Sequence, residues 1–379
     1  MGLKPHALPD FPWDSLVPFR EIAARHEGGA VDLSIGTPVD PSPDVVQAAL
    51  RAAADAPGYP TAHGAIALRE AVVEWFARRR GVDGLDPAAV LPTVGSKEFV
   101  ALAPALLGIG DGDVVVHPTV AYPTYDVGAR LAGATPMPAD NPDDWRDVPG
   151  VKLIWVNSPS NPTGAVATRE QLARIVAAAR DIGAVVFSDE CYAELTWEDG
   201  DAGTNTAGTN TAPSILDPAV CDGSTEGVVA VYSLSKQSNL AGYRAAFAAG
   251  DAGVIARLLE VRKHAGFMVP APVQAAMTAA LADDDHVAVQ RQRYAARRAA
   301  LASGLTAAGL RIDDSQAGLY LWTTRDEDCW DTISWLARLG IVAAPGAFYG
   351  EAGRRHVRIA LTATDERVAE AALRLTNAR

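Results

Sequence analysis

Short apolar runs recur along the chain, each closed by a turn signal: AVLPTV, VVVH, VKLIWVN, AVVFSD, GVVAVYS and AAFAAG. Runs this short, rich in Val, Ile and Ala, read as strands buried on both faces. Between them lie stretches with helical period, such as DVVQAALRAAADA, SKEFVALAPALLGIG and TREQLARIVAAARDIG. In the last, Thr168 caps the helix, with Glu170 and Gln171 in its first turn. Strand and helix in alternation predict an α/β fold around a mostly parallel sheet. The pattern changes at both ends. Residues 1 to about 30 carry Pro5, Pro9, Pro12 and Pro18 among Phe11, Trp13 and Phe19, a proline-broken segment that gains order by draping over its own domain or a partner. Then VDLSIGTPVDPSP gives a short strand ending at Gly36. The final hundred residues read as a separate α+β unit: an Arg-rich amphipathic helix, GLYLW, a helix from Trp330 to Leu339, HVRIALTA and a terminal helix.

Composition narrows the class. The 379 residues carry a formal net charge of −13, which argues against a nucleic-acid partner. No apolar stretch is long enough to span a bilayer, and the N-terminus lacks a signal-peptide core, so a cytoplasmic protein with no membrane partner is expected. Three scattered cysteines, without metal-ligand spacing, fit a reducing compartment and no metal. A tandem AGTNT repeat between Asp199 and Pro213 reads as a solvated insertion with no catalytic part.

The candidate chemistry sits where the apolar runs end, the place where open α/β sheets bind ligands. Lys236 follows the run 227–232, flanked by Ser233 and Ser235 and followed by Arg244. A lysine there can form an imine, and a hydroxyl with a guanidinium fork can hold a phosphate. Taken alone, the same residues also read as a solvated loop. Gly95, Ser96 and Lys97 join a strand to a helix N-terminus, a second anion site. Asp189 and Tyr192 close another run, Asn161 lies in the turn NPTG, and Tyr122 follows a fourth strand. Arg358 lies inside the apolar strand HVRIAL and needs an anionic partner.

These motifs, together with Tyr-x4-Gly-x3-Leu-Arg from Tyr59 to Arg69, resemble the fold type I, class I/II aminotransferases over nearly the whole chain. The resemblance implies a fold type I pyridoxal phosphate transferase, with a large domain on a mixed, mostly parallel sheet and a smaller α+β domain. Residues 1–44 would form an N-terminal arm and part of the small domain, 45–275 the large cofactor-binding domain, and 276–379 the small C-terminal domain. It implies pyridoxal 5'-phosphate bound through Lys236, with Ser233, Arg244 and the Gly95, Ser96, Lys97 loop on the phosphate. Tyr122 would stack on the pyridine ring, Asp189 would keep its nitrogen protonated, and Asn161 and Tyr192 would face the phenolate oxygen. Lys236, Asp189 and Tyr192 are the catalytic candidates. Gly36 and Arg358 would meet the substrate carboxylate, and Tyr59 would reach the cofactor phosphate of a neighbouring subunit, making a homodimer. Tyr125 reads as packing. Gly36 reads equally as a turn glycine with positive φ.

Segments such as DFPWDSL, PGYPTAHG and RKHAGFMVPAPVQAAM look most like succinyldiaminopimelate aminotransferases of lysine synthesis. That implies glutamate and N-succinyl-2-amino-6-oxopimelate as amino-acid and 2-oxo-acid substrates, with the Arg262, Lys263 and His264 cluster of a partner chain nominated as the distal anchor. The alternatives are an aminotransferase of aspartate or another common amino acid, a pyridoxal phosphate β-lyase, and a ligand-binding domain of a transcription regulator, against which the lack of a preceding DNA-binding segment counts.

Overall fold

The computed structural model describes residues 8–197 and 211–378. Most of the AGTNT repeat therefore lies outside the described residues. Thirteen strands follow in chain order: β1 (Val31–Asp32), β2 (Val90–Val94), β3 (Val114–His117), β4 (Thr135–Pro138), β5 (Val151–Asn157), β6 (Val185–Asp189), β7 (Val228–Ser233), β8 (Ala245–Gly250), β9 (Arg311–Asp313), β10 (Tyr320–Thr324), β11 (Ile341–Val342), β12 (Ala344–Pro345) and β13 (Val357–Ala360).

The seven-stranded sheet has the order β2-β8-β7-β6-β5-β3-β4. Five neighbours, from β7 through β4, run parallel, while β8 is antiparallel to both β7 and β2. Helices cover the sheet, and the central strands show why their sequences are unbroken apolar runs: every residue of β7 and β8 is buried. A four-stranded antiparallel sheet, β12-β13-β10-β9, forms the second layer, with its own core of Leu319, Leu321, Ile333, Leu336 and Ile359. The helices Asp285–Ala307 and Asp365–Asn377 pack together beside it.

Capping chemistry sets the helix that precedes β6. Thr168 and Gln171 form a reciprocal capping box at the start of Arg169–Asp181. Two boundaries differ from the sequence reading. The strand expected to reach Gly36 is only β1, because Ser34 turns back, its N–H donating to Asp32 Oδ1 at 2.9 Å. The helix expected to restart after Pro272 begins at Ala271, with Pro272 in its first turn, where a missing N–H costs nothing. Among the described residues, no helix is long and apolar enough to cross a membrane, and no cluster of His, Cys, Asp and Glu could hold a metal ion.

Candidate active site

β5, β6 and β7 are adjacent and parallel, with Asn157 opposite Asp189 and Asp189 opposite Val231. β5 and β6 end level and β7 runs two residues further, so Asn161, Asp189 and Lys236 come to line one cleft of about 580 Å³. Tyr122 and Tyr192 line it from neighbouring loops, Ser96 and Lys97 from the start of the helix Ser96–Leu106, and Ser233 and Arg244 from around the lysine. Gly36 and Arg358 close it from the side of the small sheet. Of the residues nominated from sequence for the cofactor, Gly95 and Tyr59 lie outside this lining.

Asp189 is the buried carboxylate of the site. Its Oδ2 accepts from the Tyr125 hydroxyl at 2.9 Å and its Oδ1 from the Cys191 N–H at 3.2 Å. Burial pushes the carboxyl above its ordinary pKa, while Cys191, Tyr125 and Lys236 pull the other way. A cation seated against it would restore full ionisation. Tyr125 thus corrects its reading as packing alone: its role depends on the order of β3 and β5 in the sheet, which the local pattern does not reveal.

Arg358, on β13, is 2% exposed. Its Nη1 donates to Asn161 Oδ1 at 2.8 Å and its Nη2 to the Ser34 carbonyl at 2.7 Å, and the guanidinium carbon lies 3.9 Å from the centroid of the Tyr320 ring. Its Nε has no partner. Among the described residues no carboxylate reaches Arg358 within 4 Å, so a buried cation is held by neutral acceptors alone. With Oδ1 accepting from Arg358, the Asn161 amide keeps its N–H groups for the cleft.

The Lys236 Nζ donates to the Gly36 carbonyl at 2.9 Å. Gly36 is glycine because of close approach rather than positive φ: a Cβ there would come within 2.0 Å of the Tyr320 hydroxyl. That hydroxyl pairs with the Tyr192 hydroxyl at 3.1 Å. Burial opposes ionisation of both phenols, but Arg358 and Lys236 bring Tyr320 below its ordinary value, whereas Tyr192, with Tyr320 beside it, is pushed well up and keeps its proton. Tyr320 was missed from sequence, where it reads as one more aromatic in GLYLW.

At the anion end, Ser233 caps the turn that carries Lys236: its Oγ accepts from the Ser235 N–H at 3.2 Å and donates to Ser235 Oγ at 2.9 Å. Gly95 has φ +78°, and a Cβ on it would lie 2.2 Å from Arg244 Nη2. The Lys97 ammonium leaves the helix start and stands 6.0 Å from the Phe11 ring centroid and 5.8 Å from that of Tyr122.

Two members of the cluster nominated for the distal end of a substrate pair within their own chain. Arg262 is fully buried, with Nη1 3.0 Å from Glu98 Oε1 and its guanidinium over Phe267, so it ties the helix Ala252–Ala265 to the helix Ser96–Leu106. Lys263 pairs with Glu260 at 2.6 Å, one turn away on the surface. The nomination of Arg262 is corrected accordingly: helical period turned it inward to a partner that proximity in sequence did not suggest.

Residues 29–375 match the family of class I and II aminotransferases. The chain belongs to that family. It is therefore a pyridoxal-phosphate-dependent aminotransferase with the fold type I architecture. It is 56% identical, over 97% of its length and 99% of the relative's, to the 4-dedimethylamino-4-oxo-anhydrotetracycline transaminase OxyQ of Streptomyces rimosus. It is 54% identical to a probable aminotransferase of Mycobacterium tuberculosis, over 98% of this chain and 86% of that one. Among solved structures, a probable N-succinyldiaminopimelate aminotransferase of Thermus thermophilus superposes with a TM-score of 0.83 at 31% identity, covering 97% of this aminotransferase and all of that chain.

Proposed function

We propose that this aminotransferase exchanges the amino group between glutamate and N-succinyl-2-amino-6-oxopimelate, with Lys236 as its catalytic base. The observation that carries the reading is Arg358, a buried guanidinium without a carboxylate in the same cleft as Lys236. A desolvated cation held only by neutral groups suits the α-carboxylate that every amino-acid substrate brings.

The side chains fit the cofactor part by part. The free N–H groups at the start of the helix Ser96–Leu106, the Ser233 hydroxyl and Arg244 would hold the phosphate, and Gly95 leaves Arg244 the space to reach it. Asp189 would hold the ring nitrogen, a cation against a carboxylate whose burial otherwise disfavours its charge. The free amide of Asn161 and the hydroxyl of Tyr192 would donate to the phenolate oxygen, and Tyr122 would lie on the ring face. When bound, the cofactor supplies an electron sink for the pair left on the substrate Cα. The rest is the work of the chain. Arg358 fixes the substrate carboxylate, Tyr125 holds Asp189 in register, and the Lys236 amine, released from the Gly36 carbonyl, takes the proton from Cα and returns it one position along.

Tyr59 is 98% exposed and outside its own cleft. We read it as lent to the phosphate of a second copy, so that the working unit is a homodimer. An active monomer in dilute solution would overturn this. Three unpaired, buried cysteines support the cytoplasm as its compartment.

A panel of amino acceptors with glutamate as donor tests the substrate. The highest kcat/KM is expected for N-succinyl-2-amino-6-oxopimelate. A preference for oxaloacetate would make the protein a general aspartate-type enzyme, and pyruvate with free ammonia from an amino-acid donor would make it a β-lyase. A second reading, a polycyclic ketone acceptor, has the 56% identity to the tetracycline transaminase behind it, and one such ketone belongs in the panel.

A further inference from the structure

Beside the cofactor cleft lies a second cavity of about 1000 Å³, and the two share Phe11, Trp13, Lys97 and Tyr122 as lining. Most of its wall is apolar, which makes its few polar groups informative. His117 ends β3 and is 8% exposed. Its Nδ1 lies 2.9 Å from the Pro118 carbonyl, which can only accept, so Nδ1 carries the proton. Burial outweighs the pull of Asp126 and Asp140 and holds the imidazole below its ordinary pKa, so the ring is neutral and Nε2 is a bare acceptor. Nε2 has no partner. The Tyr349 hydroxyl is likewise buried and without a partner, and burial raises its pKa, which keeps it a donor. Buried polar atoms left unpaired are costly, and although neither atom is open to the cavity as the side chains stand, a side-chain rotation toward the cavity these residues line would let a ligand there pair them.

The charges complete the pattern. Arg130 is taken up by Asp126 in a two-point pair at 2.7 and 3.0 Å, and Glu351 by Arg354. Asp10 is exposed. Lys97, resting over two aromatic rings, is the cation of this wall with no ion pair among the described residues. The cavity thus offers an acceptor, a neutral donor and a cation. A secondary amide presents an N–H and a C=O on opposite edges of one plane, and a carboxylate beyond it answers the cation.

We propose that this cavity is the subsite for the distal arm of the substrate and selects an amide-linked, carboxylate-ended acyl chain. His117 Nε2 accepts the amide N–H, Tyr349 Oη donates to the amide carbonyl, and the Lys97 ammonium meets the terminal carboxylate. The assignment rests on the substrate reading above and deepens it, replacing the buried Arg262 with named groups. A fused-ring ketone could satisfy His117 with a hydroxyl but would bring no carboxylate to Lys97.

The test uses the holoenzyme in single-turnover half-reactions with three amino donors: N-succinyl-, N-acetyl- and unacylated LL-2,6-diaminopimelate. The wild type should rank them in that order by specificity constant. His117→Phe and the milder Tyr349→Phe should each lower the two acylated donors about tenfold relative to the unacylated one, the loss of one hydrogen bond. Lys97→Met should bring the succinylated donor down to the acetylated one. Equal losses for all three donors would show that these residues only support the fold, and would overturn the subsite. A wild type that ignores the succinylated donor would sink the substrate reading and this inference together, before any variant is made. A wild-type preference untouched by all three variants would sink the subsite alone.

Discussion

On one side of the cleft, Asn161, Asp189 and Lys236 follow three neighbouring parallel strands, each within about a turn of its strand end. On the other, Gly36, Tyr320 and Arg358 come from a turn near the start of the chain and from the four-stranded sheet near its end, joined by contacts such as Arg358 to the Ser34 carbonyl. The first wall is placed by sheet register, which buried apolar strands specify strongly. The second exists only when the two ends of the chain have met. In the proposed mechanism the strand-end wall moves the proton and the far wall recognises what is bound. Substitutions on the two walls should therefore fail in different ways.

The sharpest break lies at Lys236. Lys236→Ala should lower turnover by on the order of 10⁴-fold or more and remove the absorbance of lysine-bound cofactor, with circular dichroism unchanged. Retained activity would dissolve the distinction between the walls. Asp189→Asn, still on the first wall, should cost about 10² to 10³ in kcat with little change in KM, because it removes charge where the reaction develops it. Tyr125→Phe should cost about tenfold in the same parameter by loosening Asp189. On the second wall, Arg358→Lys should act mainly on KM, raising it about 10- to 100-fold for every amino-acid substrate alike, since an ammonium cannot reproduce the guanidinium fork. A fall in kcat alone would place Arg358 with the chemistry instead.

The smallest effect concerns stability. Arg311 first, and then His356, hold the Asp313 carboxyl at about 2 against its ordinary 3.8. The folded state therefore keeps the ionised form to lower pH than the unfolded chain does. The stabilisation is complete above about pH 4 and disappears as pH falls toward 2. It is small, because the groups are partly solvated. Trp322 stacks on His356 with centroids 4.9 Å apart, so its fluorescence should report a loosening of the small sheet in that window. Asp313→Asn should flatten the transition, and an unchanged profile would remove Asp313 from the account.

This contrast also explains what could be read in advance. The strands of the large sheet fall within a residue or two of the apolar runs, the helix start at Ser96 follows its glycine turn, and the helix start at Arg169 follows from its Thr168 cap. Asp189 and Lys236 could be picked out because they close or follow such runs, and Asn161 because of its turn NPTG. Tyr125, Tyr320, His117 and Tyr349 could not, because an aromatic or imidazole among apolar neighbours looks the same whether its polar atom is paired, orphaned or catalytic. Arg262 failed in the opposite direction: a cation near a loop looked available, yet Glu98 lies 164 positions away in sequence and 3.0 Å away in space. Arg358 was legible because an arginine inside an apolar strand has few explanations.

The close approach of Gly36 to Tyr320 has a meaning for descent as well as for shape. Any side chain at 36 would collide with the phenol, and the same backbone carbonyl is the one that receives the lysine amine. A lineage that enlarges position 36 must displace or shrink the side chain at 320, and in doing so it disturbs the hydroxyl paired with Tyr192. The two positions are bound to a shared history: homologues that differ at one should differ at the other, and libraries that randomise them separately should return almost no survivors.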